Sequence, residues 1–273
     1  MRRMRRMPWF LVLILVSCSG PAAGPGATGT PAVPAQSPSS PPAVTESLPT
    51  AIAVPEAIMV LEPGPGSRVV NPLHLAGMAD STFEQVLSVQ LVSFEGGLLE
   101  ELAPVMIQSE MGQRGPFSAD LEFSIDREQN ALIQVLAHSP RDGGVTHLSS
   151  VGVTLLPAGE AQIKSRQPYS EQIIIMQPSP GEGVSGGMLH VGGVGTPTFE
   201  GTLVVQLFDA KGTLLATQPL IVNAPDMGQP GDFSLDLSYS VSVAGPGRVV
   251  VSDPSPAFDG LNHLASVEIK LEP

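Results

Sequence analysis

Alternating apolar and polar positions dominate the chain after its first 55 residues. From Phe117 to Phe123 every second residue is apolar, and the same alternation runs from Phe233 to Tyr239. A period of two is typical of a strand with one buried and one solvated face, which favours antiparallel sheets. Turn signals rich in Gly and Pro interrupt the strands, and no stretch after Cys18 shows a convincing amphipathic helix. The pattern predicts an all-β protein.

The predicted strands occur twice, because the chain contains two copies of one pattern. Segment 111–124 is MGQRGPFSADLEFS and segment 227–240 is MGQPGDFSLDLSYS, an offset of 116 positions. Before His74 the offset is 115, since the second copy carries one additional residue there. Each copy is about 102 residues long, which suits one two-layer β-sandwich. We therefore predict two antiparallel β-sandwiches at 56–157 and 172–273, joined by an inter-domain linker at 158–171.

The N-terminal segment has the features of an export signal and a tether. Residues 1–17 combine four Arg with a short apolar run, as a secretory signal peptide does. The stretch LVSC, which ends at Cys18, resembles the lipobox of bacterial lipoproteins, in which the cysteine is lipidated. Cys18 is the only cysteine of the chain, so an acylated Cys18 leaves no disulfide to stabilise the domains. The composition of 18–55, rich in Pro with one charged residue, predicts a disordered linker after the lipidated Cys.

The net charge argues against one class of partner. The chain has 13 Lys and Arg against 26 Asp and Glu, a formal charge of −13. Removal of residues 1–17 takes away four Arg and leaves 9 − 26 = −17. Nucleic acids and anionic lipid headgroups both require basic surfaces, so we expect no nucleic acid as a partner. We expect the membrane to be reached through the lipid anchor on Cys18, with the protein facing outward at the bacterial cell envelope.

An ordered set of motifs, met in both copies, carries a family resemblance. Each copy has Pro-x-Pro-Gly, a strand ending in Gly, Phe-Glu, a hairpin Gly, Gly-x-Phe, and then Ser-Pro with Asp-Gly before a closing strand. The matching residues are Pro63, Pro65, Gly66, Gly77, Phe83, Glu84, Gly96, Gly115, Phe117, Ser139, Asp142 and Gly143 in the first copy, and Pro178, Pro180, Gly181, Gly193, Phe199, Glu200, Gly212, Gly231, Phe233, Ser255, Asp259 and Gly260 in the second. The Asp-Gly pair lies one position earlier in the first copy. This order resembles the immunoglobulin-like domain first described in bacterial sporulation and spore germination proteins, and it implies two noncatalytic extracytoplasmic modules.

The repeated Thr-Phe-Glu step at 82–84 and 198–200 is a candidate site, because a carboxylate recurs in it. A catalytic carboxylate requires a second acid or a His within reach, and the step lies where a strand begins. We therefore interpret Glu84 and Glu200 as polar residues at strand entry. The expected structural core markers are four aromatic residues, Phe83, Phe117, Phe199 and Phe233.

The last loop and closing strand of each copy supply the remaining candidates, Asp142, His147, Asp259 and His263. Zinc requires three or four ligands and no local HxH or HxxxH spacing exists, so we predict no metal site and no cofactor. A nucleophile elbow is absent from the sequence and the one Cys belongs to the anchor, so we predict no catalytic residues and no enzyme. An enzyme would instead bring His147 or His263 within a few ångströms of an acidic or nucleophilic group in both copies.

The sequence therefore predicts a noncatalytic envelope lipoprotein that presents two immunoglobulin-like domains to an envelope protein or a wall polymer. One alternative is an accessory component of a spore germination or sporulation complex. Another is a surface hydrolase or carbohydrate-binding protein. Sugar stacking is disfavoured because Trp9 lies in the signal segment and Tyr239 lies on the core side of its strand.

The lipobox generates the first prediction. In the producing bacterium, Cys18→Ala should abolish the diacylglycerol-modified N-terminus and move the protein from the membrane fraction into the medium or the soluble fraction. Mass spectrometry of the mature N-terminus and fractionation measure both effects. Equal membrane retention of wild type and variant would contradict lipidation at this position.

Overall fold

The computed structural model of the protein describes residues 54–95, 97–257 and 260–273. The segments predicted as signal peptide and linker lie outside the described residues except for Val54 and Pro55, and so do Cys18 and Asp259. The described residues form one compact unit. Within the described part the regular structure is β-strand apart from one short 3-10 helix at Phe83–Gln85. Among these residues no helix is long and apolar enough to cross a membrane.

The first copy forms a sandwich of eight strands. They are β1 (Ile58–Glu62), β2 (Ser67–Val69), β3 (Leu73–Ala79), β4 (Val86–Ser93), β5 (Leu98–Met106), β6 (Gly115–Leu121), β7 (Gln129–His138) and β8 (Val145–Leu155). One sheet has the order β1-β3-β6, and the other has β5-β4-β7-β8 with β2 parallel to part of β8. All other pairings in this copy are antiparallel.

The second copy repeats this topology strand for strand. Its strands are β9 (Ile173–Gln177), β10 (Gly183–Val184), β11 (Met188–Gly195), β12 (Thr202–Phe208), β13 (Leu214–Ile221), β14 (Gly231–Ser238), β15 (Gly245–Pro254) and β16 (Leu261–Leu271). The sheets have the orders β9-β11-β14 and β13-β12-β15-β16, with β10 parallel to β16. The predicted all-β fold of two tandem immunoglobulin-like sandwiches is therefore confirmed.

Each sandwich is filled by the inward-facing residues of its alternating strands. The ring of Phe117 packs in the core of the first copy and the ring of Phe233 in the core of the second, as expected. Each ring lies against a glycine on the neighbouring strand, Gly77 in β3 and Gly193 in β11. A methyl group at either glycine would overlap the ring and a backbone carbonyl oxygen. The glycines of the repeated strand motif thus leave room for the core aromatics.

The expectation that Phe83 and Phe199 are core residues is wrong, since their exposed fractions are 56% and 49%. Both precede their strands in a tight turn, where Glu84 and Glu200 have φ angles of 57° and 48°. A left-handed residue interrupts the pleat, so the in-out alternation of the following strand does not extend back to the phenylalanine. In the first copy Gln85 takes the inward position instead. Its Nε2 donates to Ser109 Oγ and to the carbonyl oxygen of Glu110, each at 2.9 Å.

The two sandwiches are joined through one sheet. Strand β8 pairs antiparallel with β16, so Leu148 lies opposite Leu264 and the two larger sheets become one ten-stranded sheet. Leu148 and Leu264 are equivalent in the repeat, because they are 116 positions apart. The junction therefore has an approximate two-fold axis between them, the arrangement of a symmetric dimer within one chain.

The side chains around this axis obey the same symmetry. Ser150 Oγ donates to the carbonyl oxygen of Asn262 at 2.6 Å, and the equivalent Ser266 Oγ donates to that of Thr146 at 2.7 Å. On the same face of these strands the two leucines belong to a buried apolar cluster. Its buried members are Leu136, Leu148, Val250 and Leu264.

The glycine contacts generate the second prediction. Gly77→Ala and Gly193→Ala should each lower the free energy of unfolding by about 1–3 kcal/mol, because the added methyl overlaps a core ring and the backbone. Gly245→Ala is the matched control, since a Cβ at this strand position meets no atom within 4 Å. Chemical denaturation measures all three variants. Equal stabilities of Gly77→Ala and Gly245→Ala would contradict the packing described.

Candidate functional site

Four ionisable side chains converge where the two copies meet. Glu56 lies two residues before β1 and Glu171 lies two residues before β9, while His147 is in β8 and His263 is in β16. One ligand atom from each lies within 4.8 Å of the others. Glu56 and His263 are buried, and His147 and Glu171 are partly buried. We call this group the Glu-His cluster.

The symmetry of the repeat places the cluster on the two-fold axis. Glu171 is the equivalent of Glu56 at the offset of 115, and His263 is the equivalent of His147 at the offset of 116. The segments before β1 and β9 also pair symmetrically. The N–H of Glu56 donates to the carbonyl oxygen of Tyr169 at 3.1 Å, and the N–H of Glu171 donates to that of Val54 at 2.8 Å. Each copy thus contributes one carboxylate and one imidazole to a single site.

The imidazoles direct the same nitrogen, Nε2, toward the carboxylates. His147 Nε2 lies 2.6 Å from Glu56 Oε1 and 3.7 Å from Glu171 Oε2. His263 Nε2 lies 3.0 Å from Glu56 Oε2 and 3.2 Å from Glu171 Oε1. The two rings are nearly perpendicular, with centroids 5.1 Å apart. Each imidazole therefore contacts the carboxylate of its own copy and the carboxylate of the other copy.

Neighbouring groups hold the cluster in place. The N–H groups of Ala57 and Ile173 donate to the two oxygens of Glu171, at 3.1 and 3.3 Å. Among the described residues, Nδ1 of His263 is buried without a hydrogen-bond partner. The polar contacts that orient this ring are thus those of Nε2 with the two carboxylates.

Burial and pairing act against each other on the charges of the cluster. Burial disfavours the charged form of Glu56, but hydrogen bonds from His147 and His263 outweigh it and lower its pKa to about 2. Burial likewise disfavours the charged form of His263. The carboxylates of Glu171 and Glu56 outweigh it and raise the pKa of His263 to about 9. The arrangement therefore favours a carboxylate beside an imidazolium when only protons occupy the site.

A second ion-pair group crosses the junction and contains the predicted residue Asp142. Its Oδ1 lies 2.8 Å from Arg248 Nη1 of the other copy and accepts the N–H of Gly144 at 3.0 Å. Desolvation opposes the charge of Asp142, but Arg248 and the Gly144 N–H hold the pKa of this carboxyl well below its usual range. Arg141 pairs with Glu268 in the same group. Asp142 therefore closes its own turn and ties the two copies together.

The predicted site residues separate into two outcomes. His147 and His263 come together at one site, and Asp142 belongs to the junction, while Asp259 lies outside the described residues. Glu84 and Glu200, by contrast, are exposed turn residues.

Sequence reasoning missed Glu56 and Glu171, which belong to segments taken as the beginning of a domain and the end of a linker. Their signal was the repeat itself, since the same acid stands two residues before the first strand of each copy.

The convergence of two histidines and two carboxylates was not predicted. Ligand spacing along the sequence shows only sites within one segment, whereas the structure assembles these donors from four separate segments. The sequence criterion for an enzyme, a His within a few ångströms of an acid in both copies, is met by His147 beside Glu56 and by His263 beside Glu171. These contacts belong to one shared cluster, in which Glu56 and His263 are buried.

Each copy also has one histidine that lies on the surface with a carboxylate. His74 Nδ1 lies 2.7 Å from Asp120 Oδ1, and the equivalent His190 Nδ1 lies 2.7 Å from Asp236 Oδ1. These pairs are exposed and each involves only one copy. They serve as internal controls for the Glu-His cluster.

Two immunoglobulin-like sandwiches fused through one sheet define a tandem all-β module. The model of a family described as the immunoglobulin-like domain of bacterial spore germination matches residues 57–144 and 172–260. The matches cover more than half of the chain, and the chain belongs to this family. Membership supports an envelope or germination-related role without catalysis.

Relatives outside the family model are distant. No curated protein matches the chain. Among solved structures, a red sea bream transglutaminase aligns with 80% of this chain at 12% identity and a TM-score of 0.28, and the chain spans 31% of that enzyme. The CFA/I enterotoxigenic E. coli adhesin CfaE aligns with 77% of this chain and 81% of its own at 11% identity and a TM-score of 0.21. Likenesses at this level carry no argument about function.

The third prediction concerns the pH dependence of the chelator-treated protein. The pKa of His263 is higher in the folded state, about 9, than the ordinary 6.5, so its contribution to stability is complete below pH 6.5 and is lost as the pH rises through 9. We expect the unfolding free energy to fall by about 1–3 kcal/mol over this interval. Glu56 acts in the opposite direction, because its contribution is present above pH 4.5 and is lost as the pH falls through about 2.

Urea unfolding from pH 6.5 to pH 9, with a chelator present, measures the effect of His263. His263→Gln should remove most of the slope, and the surface control His74→Gln should keep it. The assignment is wrong if His263→Gln and wild type lose stability in parallel over this interval.

Proposed function

We propose that the protein is a noncatalytic lipoprotein of the bacterial cell envelope, which presents two immunoglobulin-like domains as one rigid body for binding or assembly. The Pro-rich segment 18–55 is the stalk between the lipid on Cys18 and this body. Family membership supports the envelope placement, and the lipobox resemblance supports the anchor.

The observation that carries the proposal is the continuous sheet across the junction. A flexible tandem would place its two surfaces independently, but β8 and β16 fix the copies by main-chain pairing, an apolar cluster and two groups of ion pairs. A rigid two-domain body loses less conformational freedom when it engages a partner at two places. The architecture therefore suits the simultaneous presentation of equivalent surfaces.

Each copy offers a repeated apolar tip. In the first copy the tip consists of Phe83 and Met111, both exposed, and Ser81 Oγ accepts the N–H of Gly112 at 3.0 Å, which connects their loops. The equivalent residues Phe199 and Met227 are also exposed. Exposed aromatic and methionine side chains are enriched at protein interfaces, so a protein component of the envelope is the partner we favour.

The family description supports a second candidate, an accessory role in a spore germination assembly. The two candidates share the binding module and differ in the partner. Identification of the captured protein distinguishes them, because the second requires a component of the germination apparatus.

The fourth prediction tests the tips. Detergent-solubilised full chain, immobilised and exposed to envelope extract of its own bacterium, should retain a specific protein. The double variant Phe83→Ser, Phe199→Ser should reduce the retained amount about tenfold or more, because interface aromatics carry much of the binding energy. Val243→Ser is the matched control, an exposed apolar residue in the loop between β14 and β15.

The outcomes separate the alternatives. Retention by wild type and the control, with loss in the double variant, supports the tips as the contact surface. Unchanged retention in the double variant means that the tips are not the binding surface. Sedimentation of the chain with purified wall polymer, with nothing retained from the extract, would identify the polymer as the partner. Absence of any binding would leave a passive spacer as the function.

A further inference from the structure

We propose that the Glu-His cluster is a structural site for one divalent transition-metal ion, with Zn²⁺ as the best-fitting ion. Its four ligands would be Nε2 of His147 and His263 and one carboxylate oxygen each of Glu56 and Glu171. The inference is independent of the identity of any binding partner.

The donor set fits this chemistry. Imidazole nitrogen and carboxylate oxygen are common ligands of zinc in proteins, and four of them form a closed tetrahedral site. Both histidines already direct the same nitrogen inward, which is the orientation that coordination requires. A closed four-residue site is typical of structural zinc, whereas a catalytic zinc keeps one position open for water or substrate.

The distances fit as well. With metal–ligand bonds of about 2.0–2.1 Å, neighbouring ligands of a tetrahedron lie about 3.3 Å apart. The four His–Glu distances of the cluster are 2.6, 3.0, 3.2 and 3.7 Å. An ion therefore requires adjustments of less than an ångström in these contacts.

The charge of the site favours a divalent cation. Two ionised carboxylates, one buried and one partly buried, would carry two negative charges, and none of the described arginines or lysines forms an ion pair with Glu56 or Glu171. Without a metal, only protons shared among the four side chains can balance these charges. One divalent ion with two neutral imidazoles balances the same charge and satisfies both nitrogens as ligands.

An ion also has a route to the site. A surface cleft of about 300 Å³ reaches His147, the most exposed histidine of the cluster, and Ala57, the residue next to Glu56. Phe83, Pro140, Thr146 and Glu268 are among the other residues that line this cleft. The deeper members of the cluster can therefore stay buried while the ion enters on the side of His147.

The consequence of an ion would be a stronger junction. Each copy supplies half of the ligands, so the ion would be bound tightly only when both copies are in their paired arrangement. Binding energy from the metal then stabilises that arrangement over separated or unfolded copies. The ion would thus connect the two copies at the two-fold axis.

The fifth prediction is zinc binding by the full chain in a Cys18→Ser background, which removes the only thiol. After chelator treatment and dialysis, calorimetric titration with ZnCl₂ should show one site per chain with a Kd at or below about 1 µM. Saturation should raise the Tm by about 5–10 °C. MgCl₂ should produce neither effect, since Mg²⁺ prefers six oxygen ligands.

Variants assign the site. His147→Gln and His263→Gln should each weaken zinc binding about 100-fold or more. The matched controls His74→Gln and His190→Gln, which alter the surface His–Asp pairs, should bind as the parent chain does. X-ray absorption of the zinc-loaded parent chain should show two imidazole nitrogens and carboxylate oxygen at about 2.0–2.1 Å, and this readout needs no variant to fold.

Three results would overturn the proposal. The first is a parent-chain Kd weaker than about 1 µM. The second is undiminished affinity in both cluster variants, and the third is a first shell without imidazole. None of these results bears on the tips, so the zinc proposal and the proposed function fail or succeed separately.

Discussion

The antiparallel pairing of β8 with β16 is the constraint on which the rest of the structure depends. In each copy the first half of the closing strand has a neighbour on one side only, β7 or β15, and its other edge would be open to solvent. Open edges invite pairing, and the chain uses this edge internally. The opposite edge strands, β5 and β13, carry Pro104 and Pro219, which cannot donate to a further strand. The missing main-chain N–H of these prolines thus favours pairing of the copies through β8 and β16.

The pairing of β8 with β16 creates contacts at the two-fold axis that two separate domains would not have. An approximate symmetry brings equivalent residues together, so one acid and one histidine in each copy of the repeat become a group of four. In separated copies Glu56 would have only His147 as a partner and His263 would have only Glu171, each from its own copy. At the axis each has a partner of opposite charge from the other copy. The same feature explains why a metal site can exist without any local ligand motif.

The surfaces left free by the union include two exposed apolar tips. Phe83 and Phe199 lie in left-handed turns and are exposed, not packed in the cores. Phe117 and Phe233 are the phenylalanines that pack in the two cores. Large apolar side chains that are exposed at equivalent places in both copies indicate a contact surface more strongly than scattered ones do, because core packing does not account for them. Two such tips on one body fit the proposed role in assembly with another envelope component.

The sequence by itself determined the strands, the repeat and the family, since alternation, glycine turns and the motif order are local and occur twice. It also determined the core role of Phe117 and Phe233, which lie within regular alternation. It failed at Phe83 and Phe199, because a left-handed turn breaks the pleat just before the strand. The Glu-His cluster was decided by tertiary structure alone. Glu56 lies 91 positions from His147 and 207 from His263 in the sequence. The four residues form one cluster only because the edges of β8 and β16 pair.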